Sequence, residues 1–150
     1  MTDADRLGME RALDLAREAA ECHEVPVGAV VVAPDGTQYG ARNRTRELAD
    51  PTAHAEILAI RHAAAHQGDW RLEGHVLYVT LEPCTMCAGA IVLSRVERVV
   101  FGAHDPKAGM CGSLGNLVQD ARLNHRVTLV SGVLADQASS LLKTFFADRR

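Results

Sequence analysis

Two short segments of the sequence combine residue types that bind transition metals with a carboxylate. His54-Ala55-Glu56 forms one segment, and Cys84-Thr85-Met86-Cys87, which follows Pro83, forms the other. One histidine nitrogen and two cysteine thiolates make a ligand set that zinc accepts readily. Three protein ligands leave the fourth tetrahedral position for water, which is typical of a catalytic zinc site. We therefore predict that His54, Cys84 and Cys87 bind a catalytic zinc ion.

Glu56 is predicted to move protons at this site. Two thiolates already neutralise the charge of the metal, so the bound water is acidified less than it is by three histidines. A carboxylate near the open position is then needed to accept the proton. Residues i and i+2 of a regular helix point in different directions. Glu56 can therefore share the site only if His54 lies where the chain is still entering its helix.

Simpler roles for these residues remain open from the sequence. The Cys-x-x-Cys pair alone could form a thioredoxin-like redox centre, which would leave the histidine and the glutamate without a role. A structural zinc site could be closed by His62 or His75 as the fourth ligand. Glu56 could be a solvated carboxylate that stabilises the N-terminus of its helix. Cys22 and Cys111 are expected to be inert thiols.

The elements that position these residues alternate between helices and strands. The predicted helices cover residues 5–24, 50–66, 83–94 and 135 onward, with Asp50 as the cap of the second. The predicted strands cover residues 27–33, 37–43, 75–81, 96–103 and 127–133. This order predicts a three-layer α/β/α sandwich with a mixed five-stranded sheet. Both metal-binding segments follow a strand and a turn, so they can meet at one end of the sheet.

Length and composition limit the class of protein. The chain has 150 residues, of which 47% are apolar and 23% charged, and these values suit one globular domain over residues 1–150 and exclude a disordered chain. No apolar run approaches the ~20 residues that a membrane helix needs. The acidic N-terminus lacks the apolar stretch of a signal peptide, so we expect a cytoplasmic protein.

The distribution of charge is uneven along the chain. The net charge of −3 argues against a broad, nonspecific nucleic-acid surface. Residues 122–150, however, hold five basic and two acidic side chains, whereas residues 1–24 hold three basic and seven acidic ones. A local basic region of this kind suits binding to RNA, and it suits an ordinary solvated C-terminal helix as well.

The two segments together match the pattern H-x-E…P-C-x-x-C, the signature of zinc-dependent nucleobase deaminases. Further blocks resemble the bacterial tRNA adenosine deaminase (TadA) family, within the cytidine/deoxycytidylate deaminase superfamily. These blocks are residues 25–30, 50–57, 81–90, 99–103, 112–114, 124–126 and 145–150. The resemblance spans about residues 9–150.

The resemblance implies a cytidine-deaminase-like fold, a homodimer with one Zn²⁺ per subunit, and hydrolysis of the wobble adenosine of a tRNA anticodon to inosine. It assigns Glu56 the role of proton shuttle and the metal to the three predicted ligands. It also implies contacts with the extruded base and the flanking anticodon nucleotides, from Asn43, Asp105, Lys107, Phe145 and Arg149. From the residues alone, Asn43, Asp105 and Lys107 equally suit turns. Phe145 equally suits the core side of a helix.

Two other functions remain open from the sequence. A deaminase of a free base or nucleoside, such as guanine, cytosine or cytidine, would use the same metal site without any contact to RNA. Binding of RNA weakens as salt rises, whereas binding of a free base depends little on salt. A zinc-stabilised RNA-binding module without turnover is the second, but such a module has no use for Glu56 beside an open metal position.

Overall fold

The computed structural model describes residues 1–149 and places one sheet between two layers of helices. Arg150, part of the basic C-terminal segment, lies outside the described residues. The helices are α1 (Asp3–Glu21), α2 (Ala55–Gln67), α3 (Thr85–Leu93) and α4 (Ala135–Ala147). The strands are β1 (Gly28–Val32), β2 (Gln38–Arg42), β3 (Val76–Leu81), β4 (Arg98–Ala103) and β5 (Thr128–Val130).

The five strands form a mixed sheet in the order β2-β1-β3-β4-β5. Strand β1 pairs antiparallel with both β2 and β3. The pairs β3–β4 and β4–β5 are parallel, and each is linked by a crossover. The predicted three-layer α/β/α sandwich with a mixed five-stranded sheet is therefore confirmed.

Each face of the sheet has its own apolar core. Helices α2 and α3 cover one face of the sheet, which includes Val31, Val79 and Phe101. Helices α1 and α4 cover the other face, which includes Val30 and Val100. Successive residues of a strand point to opposite faces, so neighbouring valines enter different cores. This two-sided burial explains why β1 and β4 read as continuous apolar runs in the sequence.

The helix that carries the histidine begins later than the sequence predicts. Asp50 was expected to cap it, but the N-cap residue of α2 is His54, whose backbone is extended at φ −74° and ψ 151°. The Asp50 carboxylate instead accepts hydrogen bonds from the backbone N–H and the hydroxyl of Thr52, at 2.8 and 2.7 Å. This local turn satisfies the aspartate outside the helix, so the helix starts four residues further along the chain.

No helix within residues 1–149 is both long enough and apolar enough to cross a membrane. A short 3-10 turn over Leu117–Gln119, which the periodicity did not predict, precedes β5. Strand β5 is shorter than predicted, because only Thr128–Val130 pair with β4 before the chain turns at Gly132.

A buried ion pair ties α1 to the centre of the sheet. Asp5 is 1% exposed, and its carboxylate accepts hydrogen bonds from both terminal nitrogens of Arg98 at 2.7 and 2.6 Å. The hydroxyl of Tyr78 also donates to Asp5, at 3.1 Å. The Arg98 hydrogen bonds lower the pKa of Asp5 to about 2, against burial, which raises it.

We expect Asp5→Asn to lower the free energy of unfolding by about 3 kcal/mol near pH 7, because it leaves the Arg98 charge without its partner. A carboxylate whose pKa is lower in the folded state stabilises the protein above its unfolded pKa and loses that contribution as the pH falls toward its folded pKa. The difference between wild type and variant should therefore shrink below about pH 4. Denaturant unfolding at several pH values measures this difference.

The matched control for this experiment is Asp14→Asn. Asp14 pairs with Arg17 at 3.0 Å on the exposed face of α1, and an exposed pair contributes little. The prediction is wrong if the Asp5 and Asp14 variants lose the same stability, or if the difference for Asp5 stays constant as the pH falls.

Candidate metal centre and active site

The N-termini of α2 and α3 meet at one end of the sheet and bring three metal-ligand side chains together. His54 is the N-cap residue of α2, Cys84 is the N-cap residue of α3, and Cys87 lies in the first turn of α3. Nδ1 of His54 is 3.6 Å from Sγ of Cys84 and 3.5 Å from Sγ of Cys87. The three ligand atoms all lie within 4.8 Å of one another.

This geometry fits a single zinc ion. Ordinary Zn–N and Zn–S bonds in a tetrahedral site place nitrogen and sulfur ligands roughly 3.5 Å apart, which is the spacing that the histidine and the two cysteines already have. Among residues 1–149, no fourth histidine, cysteine or carboxylate joins the group. His75, considered as a closing ligand, instead lies with Nδ1 3.0 Å from the carbonyl of Glu73.

The two thiols of the cluster have opposite pKa shifts. The hydrogen bond from Cys87 lowers the pKa of Cys84 to about 3, and a position at a helix N-terminus also favours a thiolate. The same bond to Cys84, together with burial, raises the pKa of Cys87 far above its usual range. A metal binds thiolates, so metal uptake must displace the proton of Cys87.

Glu56 lies in the first turn of α2 and is 4% exposed. Because His54 is at the N-cap with an extended backbone, the two side chains reach the same site although they are only two residues apart. The structure thus meets the condition that the sequence set for this pair. Burial raises the pKa of Glu56, which suits a group that must both accept and release a proton.

A cavity of about 240 Å³ opens beside the cluster. Val25, Val27 and Leu81 give it an apolar lining, and Asn43 and Asp105 add polar groups. Three larger grooves lie on the surface elsewhere: one of about 510 Å³ between α1 and α4, one of about 530 Å³ beside β2 and α2, and one of about 310 Å³ at the start of α4. None of these grooves includes a metal-ligand set among the described residues, so the smaller cavity beside the cluster is the candidate active site.

Asn43 connects the cavity to the histidine-bearing helix. Its side chain is largely buried, and Oδ1 accepts the backbone N–H of Ala55 at 2.8 Å. This bond satisfies one of the free N–H groups at the start of α2. The amide nitrogen of Asn43 has no such role, and it can donate to a group in the cavity.

Asp105 and Lys107, the two predicted substrate contacts that follow β4, differ in their position relative to the cavity. Asp105 lines the cavity, while its carboxylate accepts the N–H groups of Lys107 and Ala108 at 3.0 and 3.3 Å. Lys107 is exposed and does not line the cavity. Its ammonium group therefore faces solvent rather than the metal cluster.

The structure places Phe145 and Arg149 outside the cavity. The Arg149 guanidinium stacks over the Phe145 ring at 3.5 Å and donates to the Phe145 carbonyl at 3.2 Å. Its other terminal nitrogen lies 3.3 Å from Nδ1 of His23. Phe145 is 7% exposed, so the arginine and the fold cover the ring that the resemblance assigns to a contact with the flanking anticodon nucleotides.

Sequence reasoning did not select two buried acids near the cavity, Glu24 and Glu82. Thr45 and Ala108, which line the cavity, were also missed. The one signal in the sequence that could have identified Glu82 is its position directly before Pro83, at the end of an apolar strand. An acid in such a place is rarely buried without partners.

Comparison with known proteins places the chain in a family. The family model for the cytidine and deoxycytidylate deaminase zinc-binding region matches residues 2–103 of the sequence. The chain is 51% identical to the tRNA-specific adenosine deaminase of Bacillus subtilis (strain 168), over 97% of this chain and 91% of that protein. The chain belongs to the tRNA-specific adenosine deaminase family. The enzyme of the same name from Haemophilus influenzae is 47% identical, over 99% of this chain and 87% of that one.

One solved structure supports the same family, and a more distant one shares the fold. A structure from a study of A-to-I editing by tRNA:A34 deaminases at the wobble position of transfer RNA aligns with a TM-score of 0.86 and 47% identity. It covers 91% of this chain and 99% of that chain. A guanine deaminase from Nitrosomonas europaea aligns with a TM-score of 0.81 but only 26% identity, over 95% of this chain and 84% of its own.

We expect Cys84→Ser to abolish zinc binding, because a serine hydroxyl does not ionise to replace the thiolate ligand. Metal analysis of the purified protein should find about one zinc per chain in the wild type and less than about a tenth of that in the variant. Cys22→Ser is the matched control, because Cys22 is exposed and lies outside the cluster. Equal zinc contents in the two variants would contradict the assignment of Cys84.

Proposed function

We propose that this chain hydrolyses the wobble adenosine of a tRNA anticodon to inosine. The observation that carries the proposal is a three-ligand metal cluster with buried Glu56 beside it in one small cavity. The family's members at 47–51% identity are tRNA-specific adenosine deaminases, whereas the guanine deaminase is far more distant. This difference favours adenosine in tRNA over a free base as the substrate. We further propose that residues 1–150 form one deaminase domain.

We propose that His54, Cys84 and Cys87 hold one Zn²⁺ per subunit. When bound, zinc supplies a Lewis acid that activates water for attack on C6 of adenine. Glu56 takes the proton that the attacking water gives up and delivers it to N1 of the ring. A second proton, from the water oxygen that has bonded to C6, passes through Glu56 to the C6 amino group, and the C6–N bond breaks to release ammonia. The raised pKa of Glu56 suits this double use, because the carboxyl group must hold the proton between the two transfers.

The substrate adenosine must leave its stack to reach the cavity, which is cheap in a single-stranded anticodon loop. We propose that the Asn43 amide donates a hydrogen bond to an acceptor on the extruded base. Asp105 and Lys107, at the rim, would contact the neighbouring nucleotides. Phe145 and Arg149 lie outside the cavity. We therefore propose that exposed Arg149 contacts anticodon nucleotides that remain outside as well, and that Phe145 supports this contact through the guanidinium that covers its ring.

The direct test is deamination of an anticodon stem-loop with adenosine at the wobble position by the zinc-loaded protein. We expect inosine in the stem-loop and no turnover of free guanine, cytosine, cytidine or adenosine. Apparent affinity for the stem-loop should fall as salt rises, because RNA binding releases counterions. Turnover of a free base with an untouched stem-loop would overturn the proposed substrate and every proposed RNA contact.

Glu56→Ala separates the chemistry from metal binding in the same assay. We expect this variant to keep its zinc and to lose about 10²–10⁴-fold in kcat, the range typical of general acid–base catalysis. A variant that keeps both zinc and turnover would show that Glu56 is not the proton shuttle.

We also propose that the protein is a homodimer in the cytoplasm. One face of α3 is open, because a side chain added at Gly89 would meet nothing within 4 Å and Leu93 is 71% exposed. Thr85 lies on the same face, since positions four apart on a helix are neighbours. A second copy of the chain would cover this surface.

The free thiols of all four cysteines suit a reducing compartment.

Light scattering coupled to gel filtration tests the dimer. We expect the wild type to elute at twice the chain mass of 16.2 kDa and Leu93→Glu to shift toward the monomer, because a charge at a packed interface opposes association. Leu7→Glu is the control, since Leu7 is 65% exposed on α1, away from α3. A monomeric wild type, or dissociation by both variants alike, would contradict the proposed interface.

A further inference from the structure

We infer that two buried carboxylates, Glu24 and Glu82, act as positioning residues that fix two segments of the cavity wall and thereby set the affinity for RNA. The inference about RNA rests on the proposed function. Neither carboxylate belongs to the metal cluster, and the two side chains are almost wholly shielded from solvent.

Glu24 holds the segment that follows Asn43. It is 1% exposed, and one carboxylate oxygen accepts the backbone N–H of Arg46 at 3.1 Å and the hydroxyl of Thr45 at 3.4 Å. Its other oxygen accepts the backbone N–H of Glu47 at 2.8 Å. The segment over residues 44–47 is not part of a helix or strand, so this carboxylate supplies bonds that regular structure would otherwise provide.

Glu82 holds a second segment in the same way. Its Oε1 accepts the backbone N–H of Asp105 at 2.9 Å, and its Oε2 accepts the backbone N–H groups of Cys111 and Ser113, both at 3.0 Å. The Ser113 hydroxyl also donates to Oε1. A side chain at Gly109 would overlap the carboxylate, so the segment lies directly against it.

Both segments contribute to the cavity. Thr45 lines it from the first segment, and Asp105 and Ala108 line it from the second. Each segment is irregular, and in each case one buried carboxylate accepts at least three hydrogen bonds from it. A glutamine in either place would turn an N–H₂ group toward backbone N–H donors and leave them unsatisfied. The affected segment of the cavity wall would then shift. The metal ligands would keep their positions, because they lie at the starts of helices α2 and α3.

The expected kinetic effect is on binding rather than on the chemical step. We expect Glu24→Gln and Glu82→Gln to raise KM for the stem-loop by about 10- to 100-fold, since small displacements of a positioning group can have effects of this size. The kcat should remain within about threefold of wild type, and the zinc content should be unchanged. Glu10→Gln is the matched control, because Glu10 is an exposed partner of Arg6 on α1.

Hydrogen exchange of the zinc-loaded proteins provides a readout that does not depend on activity. We expect the backbone amides of residues 46 and 47 to exchange faster in Glu24→Gln, and those of residues 105, 111 and 113 to exchange faster in Glu82→Gln. The amides of the central strands should keep the wild-type rates. Ser113→Ala, which removes one donor and keeps the carboxylate, serves if Glu82→Gln does not fold, with the same direction and a smaller effect.

The outcomes separate the two ideas. Faster exchange confined to the two segments, together with a raised KM, supports the inference. Unchanged exchange or an unchanged KM in both glutamine variants overturns it, and so does a loss of kcat or zinc without a change in KM. If the wild type itself does not act on the stem-loop, the proposed function fails, and the exchange rates alone then decide whether the carboxylates hold the wall.

Discussion

Three ligand atoms must lie within bonding reach of one metal ion, and the fold meets this constraint by joining two helix N-termini. His54 and Cys84 are both N-cap residues, so each side chain projects where the backbone enters its helix. The free N–H groups and the positive end of the helix dipole favour thiolates at such a position. The parallel pairing of β3 and β4 and the cover of α2 and α3 on one face of the sheet keep these two ends together.

The surroundings of three buried carboxyl groups shift their pKa values in different directions, and the three groups have different roles. Asp5 is paired with Arg98, which lowers its pKa, and it joins α1 to the sheet. Burial works against the charge of Glu82, but hydrogen bonds from Ser113 and from neighbouring backbone N–H groups outweigh it and lower its pKa. Glu56 lacks such an array, and burial raises its pKa. Of these three acids, only Glu56, beside the metal cluster, has a raised pKa.

The metal cluster and the substrate wall are built from different parts of the chain. The cluster and Glu56 depend on helix starts, which a common fold preserves, and a guanine deaminase shares that fold at 26% identity. The wall depends on irregular segments after β2 and β4, and a buried carboxylate accepts several backbone N–H groups of each segment. Irregular segments of this kind are where a family that keeps its chemistry can change its substrate.

The sequence by itself determined the order of helices and strands, the three metal ligands as a candidate set, and Glu56 as their acidic neighbour. These features are local, because periodicity reports on adjacent residues and the ligands lie in two short motifs. Only the tertiary structure decided that α2 begins at Ala55 and not after Asp50, that Arg149 covers Phe145, and that Glu24 and Glu82 hold the wall. Those outcomes depend on hydrogen bonds and stacking between residues far apart in the chain or in irregular loops, and such contacts leave no periodic pattern in the sequence.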